Sequence, residues 1–287
     1  MREKGSLVIP SFGGHSGVSR LDLVDDEGTF GGKAAHLGRA LRSGLPVPFG
    51  FALSTGIVEE LVAPPNARST STPVVENAIL EVGFPCAVRS SAVGEDSATA
   101  SFAGQLATKL DVTTLESALS AIAEVHASGA RASVYRDSIA RGGESKTAVV
   151  IQRMIAPRVA GVLFTRDPVR GDDVLVVEAN WGLAESVVAG LVTPDSFRLS
   201  PEGTLIESRL GEKDVMIVRA PGGGTMEVPV PPDDVSRACL ETSELAGLVG
   251  LAASCVRHFG TALDLEWAID AHGELHLLQW RPITVLR

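Results

Sequence analysis

The sequence predicts a mixed α and β protein with room for two lobes. Three observations predict it. At 287 residues the chain suits one large domain or a pair of lobes, and it is long enough to bury a full core. Apolar residues step by three and four in three stretches, near residues 33–44, 115–141 and 234–259, as they do along helices with one buried face. Between these lie short apolar runs stopped by Gly or Pro, the length of strands.

Taken in order, residues 1–30 are polar and glycine-bearing, with a strand candidate at Leu7-Val8-Ile9 and an exposed loop histidine, His15. GGKAAHLGRALRSG then predicts a helix that begins near Lys33 and is closed by Gly44. A strand follows over Gly50 to Ser54. Residues 63–75 read as a surface connection between two helices, because they hold prolines and hydroxyls without periodicity. Cys86-Ala87-Val88 predicts a short buried strand that delivers Arg89, Ser90 and Ser91 to its carboxyl end, where open α/β sheets place ligand groups. Gly94 to Gly104 is then a small-residue loop whose backbone N–H groups suit an anion. The helix over 115–141 is expected to break or bend at Gly129. TAVVIQRM, GVLFTRDP and VLVVEANWG each read as strands, Gly211 to Pro232 as loop, and Asp234 to Phe259 as a helix.

The chain closes with LDLEWAIDAHGELHLLQWRPITVL. With His272-Gly273 as a two-residue hairpin turn, Glu266 falls opposite Gln279 and Asp264 opposite Arg281. Leu265, Trp267 and Ile269 then share the other face with Trp280, Leu278 and His276, which separates nearly all apolar residues from polar ones.

A charged fraction of 21% and hydrophobic fraction of 45% are those of a globular protein. The net charge of −10 and a pI near 5.1 exclude a basic nucleic-acid surface, so an anionic ligand must be held by a few local cations. Cys86, Cys239 and Cys255 have apolar neighbours and no Cys-x-x-Cys spacing, which suits buried thiols of a reducing compartment. The start lacks the apolar core of a signal peptide, and the longest apolar run is far short of a membrane span, so a cytoplasmic protein with no membrane partner is expected.

Arg89, Gln152, Glu266, Gln279 and Arg281 occupy sheet faces or strand ends where a core prefers aliphatics. Burying such groups is costly without mutual pairing or a ligand. One reading is an internal Glu–Arg network. The other is a magnesium nucleotide, with Glu266 and Gln279 as oxygen donors to Mg²⁺ and with Arg89, Arg281 and Lys33 neutralising a triphosphate. Lys33 is either a solvated first-turn lysine or an anion ligand at a helix N-terminus. Thr108 would add a hydroxyl, the loop at Gly104 would cover the phosphates, and Gln152 with Met154 would meet the adenine. Neither a P-loop motif nor a Gly-x-Gly-x-x-Gly fingerprint is present.

GGKAAHLGRALRSGLPVPFGFALST, AVRSSAVGEDSATASFAGQLAT, VVIQRM, GVLFTRDP, EANWGLAES, TPDSF and the terminal LEWAIDAHGELHLLQWRPIT resemble, in order, the ATP-binding domain of the phosphoenolpyruvate synthase and pyruvate phosphate dikinase family, which includes rifampicin phosphotransferase. The resemblance implies an α+β ATP-grasp fold, two lobes closing on Mg-ATP, here divided as residues 1–152 and 153–287. It implies nucleotide or metal contacts for Lys33, Arg89, Gly104, Thr108, Gln152, Glu266, Gln279 and Arg281, with Lys33, Arg89 and Arg281 acting on the phosphoryl group. In the family, ATP gives its β-phosphoryl group to a histidine on a swivelling domain, and AMP and phosphate are released. Three departures stand out: no Thr-Gly-Gly run followed by Ser-His-Ala occurs, Gly-Leu-Gly-Glu becomes Gly182-Leu183-Ala184-Glu185, and residues 60–85 form a short connection. The expectation is an ATP-dependent phosphotransferase subunit whose phosphohistidine and small-molecule acceptor site lie on a separate chain. Two alternatives stay open: direct phosphorylation of a small molecule by this chain, and a regulatory nucleotide-binding protein without turnover.

Overall fold

The computed structural model describes residues 17–64, 71–92, 107–137, 147–260 and 262–283, with side chains described up to residue 129 in the third segment. Two antiparallel sheets organise them. The first contains β1 (Val18–Arg20), β2 (Gly50–Leu53), β3 (Cys86–Ala92), β4 (Thr108–Val112) and β5 (Thr147–Arg153), in the order β1-β2-β5-β3-β4. The chain then adds β6 (Pro157–Phe164), β7 (Leu175–Trp181), β8 (Asp195–Leu199) and β9 (Leu205–Arg209), a separate hairpin of β10 (Val215–Arg219) and β11 (Thr225–Pro229), and finally β12 (Leu263–Asp270) and β13 (Leu275–Pro282). The second sheet runs β13-β12-β6-β7-β8-β9. The helices are α1 (Glu27–Arg42), α2 (Thr55–Val62), α3 (Thr72–Val82), α4 (Leu115–Asp137), α5 (Glu185–Val188), α6 (Pro232–Val235) and α7 (Thr242–Phe259). This is the α+β, two-lobed architecture expected.

Strand alternation divides the first sheet between two cores. Phe51, Leu53, Val88, Val149 and Ile151 point toward α2, α3 and α4, where Ile79 and Ile122 complete a closed cluster. Ala52 and Val150 point the other way and join Leu37 and Ala40 of α1 to Trp267, Leu277 and Leu248 of the second lobe. Helix α1 is thus packed between the sheets. Each of the fully buried aliphatics in these clusters contributes about 1.5–3 kcal/mol.

The N-terminal half of the chain departs from its sequence reading in several places. Arg89 lies in the middle of β3 rather than at its carboxyl end, because β3 is paired antiparallel on both sides, with Arg89 opposite Val150 of β5 and Thr108 of β4. The sheet is therefore not an open parallel one. Helix α1 starts earlier than Lys33, at Glu27, capped by the Asp26 carboxylate on the Gly28 and Thr29 N–H groups, and it kinks at Gly31 (φ 78°). Its C-terminus is as expected: Gly44 takes φ 75°, with Gly44 N–H donating to Leu41 and Leu45 N–H to Ala40. Helix α3 begins at Thr72, inside the expected connection. Helix α4 does not break at Gly129; the glycine lets the helix approach β5, since a Cβ there would stand 2.0 Å from Thr147 Oγ1.

Three further corrections concern the second half. Residues 211–232 hold the β10–β11 hairpin, turned by Gly222, Gly223 and Gly224, all at positive φ. The helix expected from Asp234 is split. Asp195 accepts the Cys239 N–H at 2.8 Å and holds that segment down, so α7 restarts behind a capping box of Glu241 and Glu244. The terminal hairpin turns wider than His272-Gly273: the Asp270 carboxylate accepts the N–H groups of His272 and Glu274 at 2.8 and 3.0 Å. The candidate strand at Leu7–Ile9, His15, and the 94–104 loop with Gly104 lie outside the described residues. Among the described residues no helix is long and apolar enough to cross a membrane.

Two glycines test this packing. A Cβ at Gly161 of β6 would stand 1.9 Å from the Glu178 carbonyl oxygen, whereas one at Gly250 of α7 meets nothing within 4 Å. We expect Gly161→Ala to cost about 1–3 kcal/mol and Gly250→Ala to add about 0.5–1 kcal/mol, read from urea midpoints.

Candidate active site

Strands β12 and β13 pair as the alternation requires, with Glu266 opposite Gln279 and Asp264 opposite Arg281. A β-bulge between Glu266 and Trp267 then shifts the register, so that Trp267 faces Leu277 and Ile269 faces Leu275. The extra residue is Leu278. It was expected on the core face with His276, but Leu277 takes the buried place and Leu278 lines a cleft between the sheets. The bulge also turns the Leu278 carbonyl toward the first lobe, where it accepts a hydrogen bond from Arg89 Nη1 at 2.6 Å.

Arg89 is the meeting point. Its Nη2 donates to Glu266 Oε2 at 3.2 Å and to Gln279 Oε1 at 2.8 Å, and its Nη1 also reaches Gln152 Oε1 at 3.5 Å. Gln152 is oriented for this by its Nε2, which donates to the Pro48 carbonyl at 2.9 Å. At 8% exposure the guanidinium could not be accommodated without such partners. The internal Glu–Arg network and the convergent site are therefore one arrangement. The same geometry tests the metal reading. Two oxygens of the types Mg²⁺ accepts, a carboxylate and an amide carbonyl, converge on one cationic nitrogen, so the donor set fits a small hard cation.

The cleft measures about 550 Å³, within the range of ligand sites. Lys33, Arg89, Thr108, Gln152, Met154, Glu266, Gln279 and Arg281 all line it. Lys33 is 5% exposed, which removes the solvated-lysine reading. Arg281 is held by the Asp264 carboxylate, with Nε and Nη2 at 2.8 and 2.7 Å from Oδ2. Around Met154, the lining turns apolar through Ile155, Pro157, Leu183 and Ile217. Four cationic side chains, Lys33, Arg89, Arg153 and Arg281, stand against two carboxylates, Glu185 and Glu266, so the cleft is locally basic in an acidic chain. Among the described residues, no histidine lines it.

Some positioning groups were missed. Ser91 Oγ accepts the Ala34 N–H at 3.0 Å and donates to the Phe30 carbonyl at 2.7 Å, capping the helix restart beside Lys33 across the Gly31 kink. Only the unusual run of two serines inside an apolar strand signalled it. Asp264 was paired with Arg281 in register but given no role. Burial, and then the charge of Asp264, push the carboxyl of Glu178 above the ordinary carboxylate range. On the far side of the cleft, Arg219 of β10 pairs with Asp111 of β4, and Gly224 N–H donates to the Asp111 carbonyl at 3.0 Å, joining the lobes at a second place.

A two-lobed α+β protein with a basic, oxygen-lined cleft belongs to the class that binds phosphorylated ligands. Residues 67–287, well over half of the chain, match the family described as pyruvate phosphate dikinase, AMP/ATP-binding domain, and the chain belongs to that family. It is 34% identical to a probable phosphoenolpyruvate synthase of Methanothermobacter thermautotrophicus, over 91% of this chain and 45% of that protein. It is 35% identical to a rifampicin phosphotransferase of a Streptomyces species, over 94% of this chain and 36% of the relative. The chain thus spans less than half the length of these relatives. Among solved structures, a dinucleotide-forming acetyl-coenzyme A synthetase of Ca. Korarchaeum cryptofilum overlaps 86% of this chain and 90% of its own, at 13% identity and a TM-score of 0.47.

The pair at the centre can be measured. Arg89→Met removes four hydrogen bonds and strands the part-buried Glu266, and we expect a loss of about 3 kcal/mol. Adding Glu266→Gln should return part of it, with a coupling energy of about 1–2 kcal/mol in a double-mutant cycle read by urea denaturation.

Proposed function

We propose that this chain binds Mg-ATP in the cleft and acts as an ATP-dependent phosphotransferase subunit. The β-phosphoryl group passes to a histidine on a separate partner chain with AMP as the leaving group, a water takes the γ-phosphoryl group as inorganic phosphate, and the partner hands its phosphoryl group to a small molecule. The observation that carries this reading is the convergence of Arg89, Glu266 and Gln279, from two lobes and distant parts of the chain, on one point of a basic cleft. Family membership supports ATP as the nucleotide. The lobes on this reading are residues 1–152 and 153–287, consistent with strands of the first sheet ending at Arg153 and those of the second starting at Pro157.

Each side chain has a task that follows from its chemistry. Glu266 and Gln279 would supply oxygens for Mg²⁺, which when bound would neutralise charge on the polyphosphate. The forks of Arg89 and Arg281 grip phosphate oxygens in pairs, and Lys33 adds a point charge from the same lobe as Arg89. Thr108, directly across β3–β4 from Arg89, offers a hydroxyl to the same oxygens. Gln152 and the apolar wall at Met154 receive the base. Because phosphoryl transfer spreads charge over equatorial oxygens, these fixed cations do most of what is required of the protein.

Calorimetry should show Mg-ATP binding that weakens at least tenfold on removing Mg²⁺ and also in Glu266→Gln and Arg281→Met, roughly the loss of one charge-assisted contact. Equal affinity in all four titrations would overturn the site. With ATP labelled at the β-phosphorus, the label should move to protein-bound histidine only when a histidine-bearing partner is added, with AMP and phosphate released. Label retained in ADP, transferred straight to a small molecule, or left in intact ATP would overturn the histidine route.

A further inference from the structure

Trp280 stands between the two cleft residues Gln279 and Arg281 and points the opposite way, 2% exposed. Its indole is shared by two helices. It stacks on Phe259, the last residue of α7, at 4.1 Å and 3°, and on His36 of α1, at 4.3 Å and 23°. Its Nε1 donates to the His36 carbonyl at 2.8 Å, and Arg39 lies 6.0 Å from the ring. His36 is one helical turn beyond Lys33. A single side chain therefore ties the helix that carries Lys33 to the strand that carries Gln279 and Arg281.

That tie matters because β13 is an edge strand. Among the described residues its only ladder partner is β12, and the bulge after Glu266 interrupts that ladder beside the site. An edge strand with a broken ladder has little to fix its position along the cleft. Ties to the first lobe do so: Arg89 on the Leu278 carbonyl and the Gln279 amide, the Leu277 N–H to the Pro46 carbonyl at 2.9 Å, and, away from the cleft face, the indole between α1 and α7. Aromatic stacking supplies a rigid spacer of low conformational freedom, which is what holding two cleft walls at a set separation requires.

We infer that Trp280 is a positioning residue that sets the phosphate and metal end of the cleft by clamping β13 to α1. This rests on the nucleotide reading above. The base end is held separately, through Gln152 and Pro48 and the backbone at Met154, whose N–H donates to the Pro85 carbonyl at 3.2 Å. Loss of the clamp should therefore discriminate between ligands with and without a full polyphosphate.

The test compares Mg-ATP affinity by calorimetry with AMP affinity by ligand-observed NMR. Trp280→Ala should weaken Mg-ATP about tenfold or more, the penalty of a cleft wall displaced by a fraction of an ångström, and leave AMP within about twofold. Trp280→Phe keeps both stacks and should stay close to wild type for both ligands. His36→Ala removes one stacking partner from the other lobe and should reproduce the selective loss at smaller size, and it decides the matter if Trp280→Ala fails to fold. Parallel weakening of both ligands, no change in either, or a Trp280→Phe as impaired as Trp280→Ala would overturn the clamp. Failure of wild type to bind Mg-ATP would instead overturn the nucleotide reading itself.

Discussion

A guanidinium buried in the middle of a strand governs this structure. Arg89 is held on both sides by β-ladders, so it cannot leave the cleft face of the first sheet, and at that depth it must be supplied with acceptors. Among the described residues, the first sheet offers only Gln152. The other three acceptors, the Glu266 carboxylate, the Gln279 amide and the Leu278 carbonyl, come from one hairpin of the second sheet, and the last is available because a bulge turns it outward. The sheets are thus joined at a polar centre, whose partners are fixed by direction as well as by distance.

An apolar cluster lies beside that centre, and α1 joins it through Ala34, Leu37 and Ala40. Its buried residues belong to the same cluster as the core of the second lobe, although its chain neighbours are β1 and β2 of the first. A helix shared in this way makes the near side of the cleft stiff. The far side is joined differently, by the tip of the β10–β11 hairpin resting on β4 through Asp111, a polar contact with little apolar area beneath it. The stability of the two attachments differs in kind, hydrophobic and extensive on one side, local and electrostatic on the other.

Much of the site was legible because alternation is a strong constraint. Placing Glu266 against Gln279 and Asp264 against Arg281 required only that polar and apolar residues be sorted to opposite faces, and the hairpin obeys that up to the bulge. Beyond it the reading failed, at Leu278 and His276, since a one-residue bulge leaves almost no trace in composition. The bulge is there because Arg89, nearly two hundred residues away, needs a carbonyl. Likewise α7 was read too long: the apolar period continues through residues 234–241, but Asp195 on another strand captures the Cys239 amide and stops the helix. Periodicity reports which face is buried; it does not report a long-range hydrogen bond that ends the element.

The charge distribution follows from the same centre. In an acidic chain, the cleft cations do not stand unopposed: Arg89 is matched by Glu266 and Arg281 by Asp264. A cation and carboxylate that hold each other form a nearly neutral pair, which the fold can keep at low exposure for less desolvation cost than either alone. An anion arriving alone would take the arginine and leave the carboxylate uncompensated, and a divalent ion arriving alone would do the reverse. On the proposed reading, a polyphosphate carrying its own Mg²⁺ would satisfy both halves in one event, arginine to phosphate and carboxylate to metal. The pairing that keeps these charges buried is thereby, on that reading, also what would favour a metal-bound nucleotide over either component.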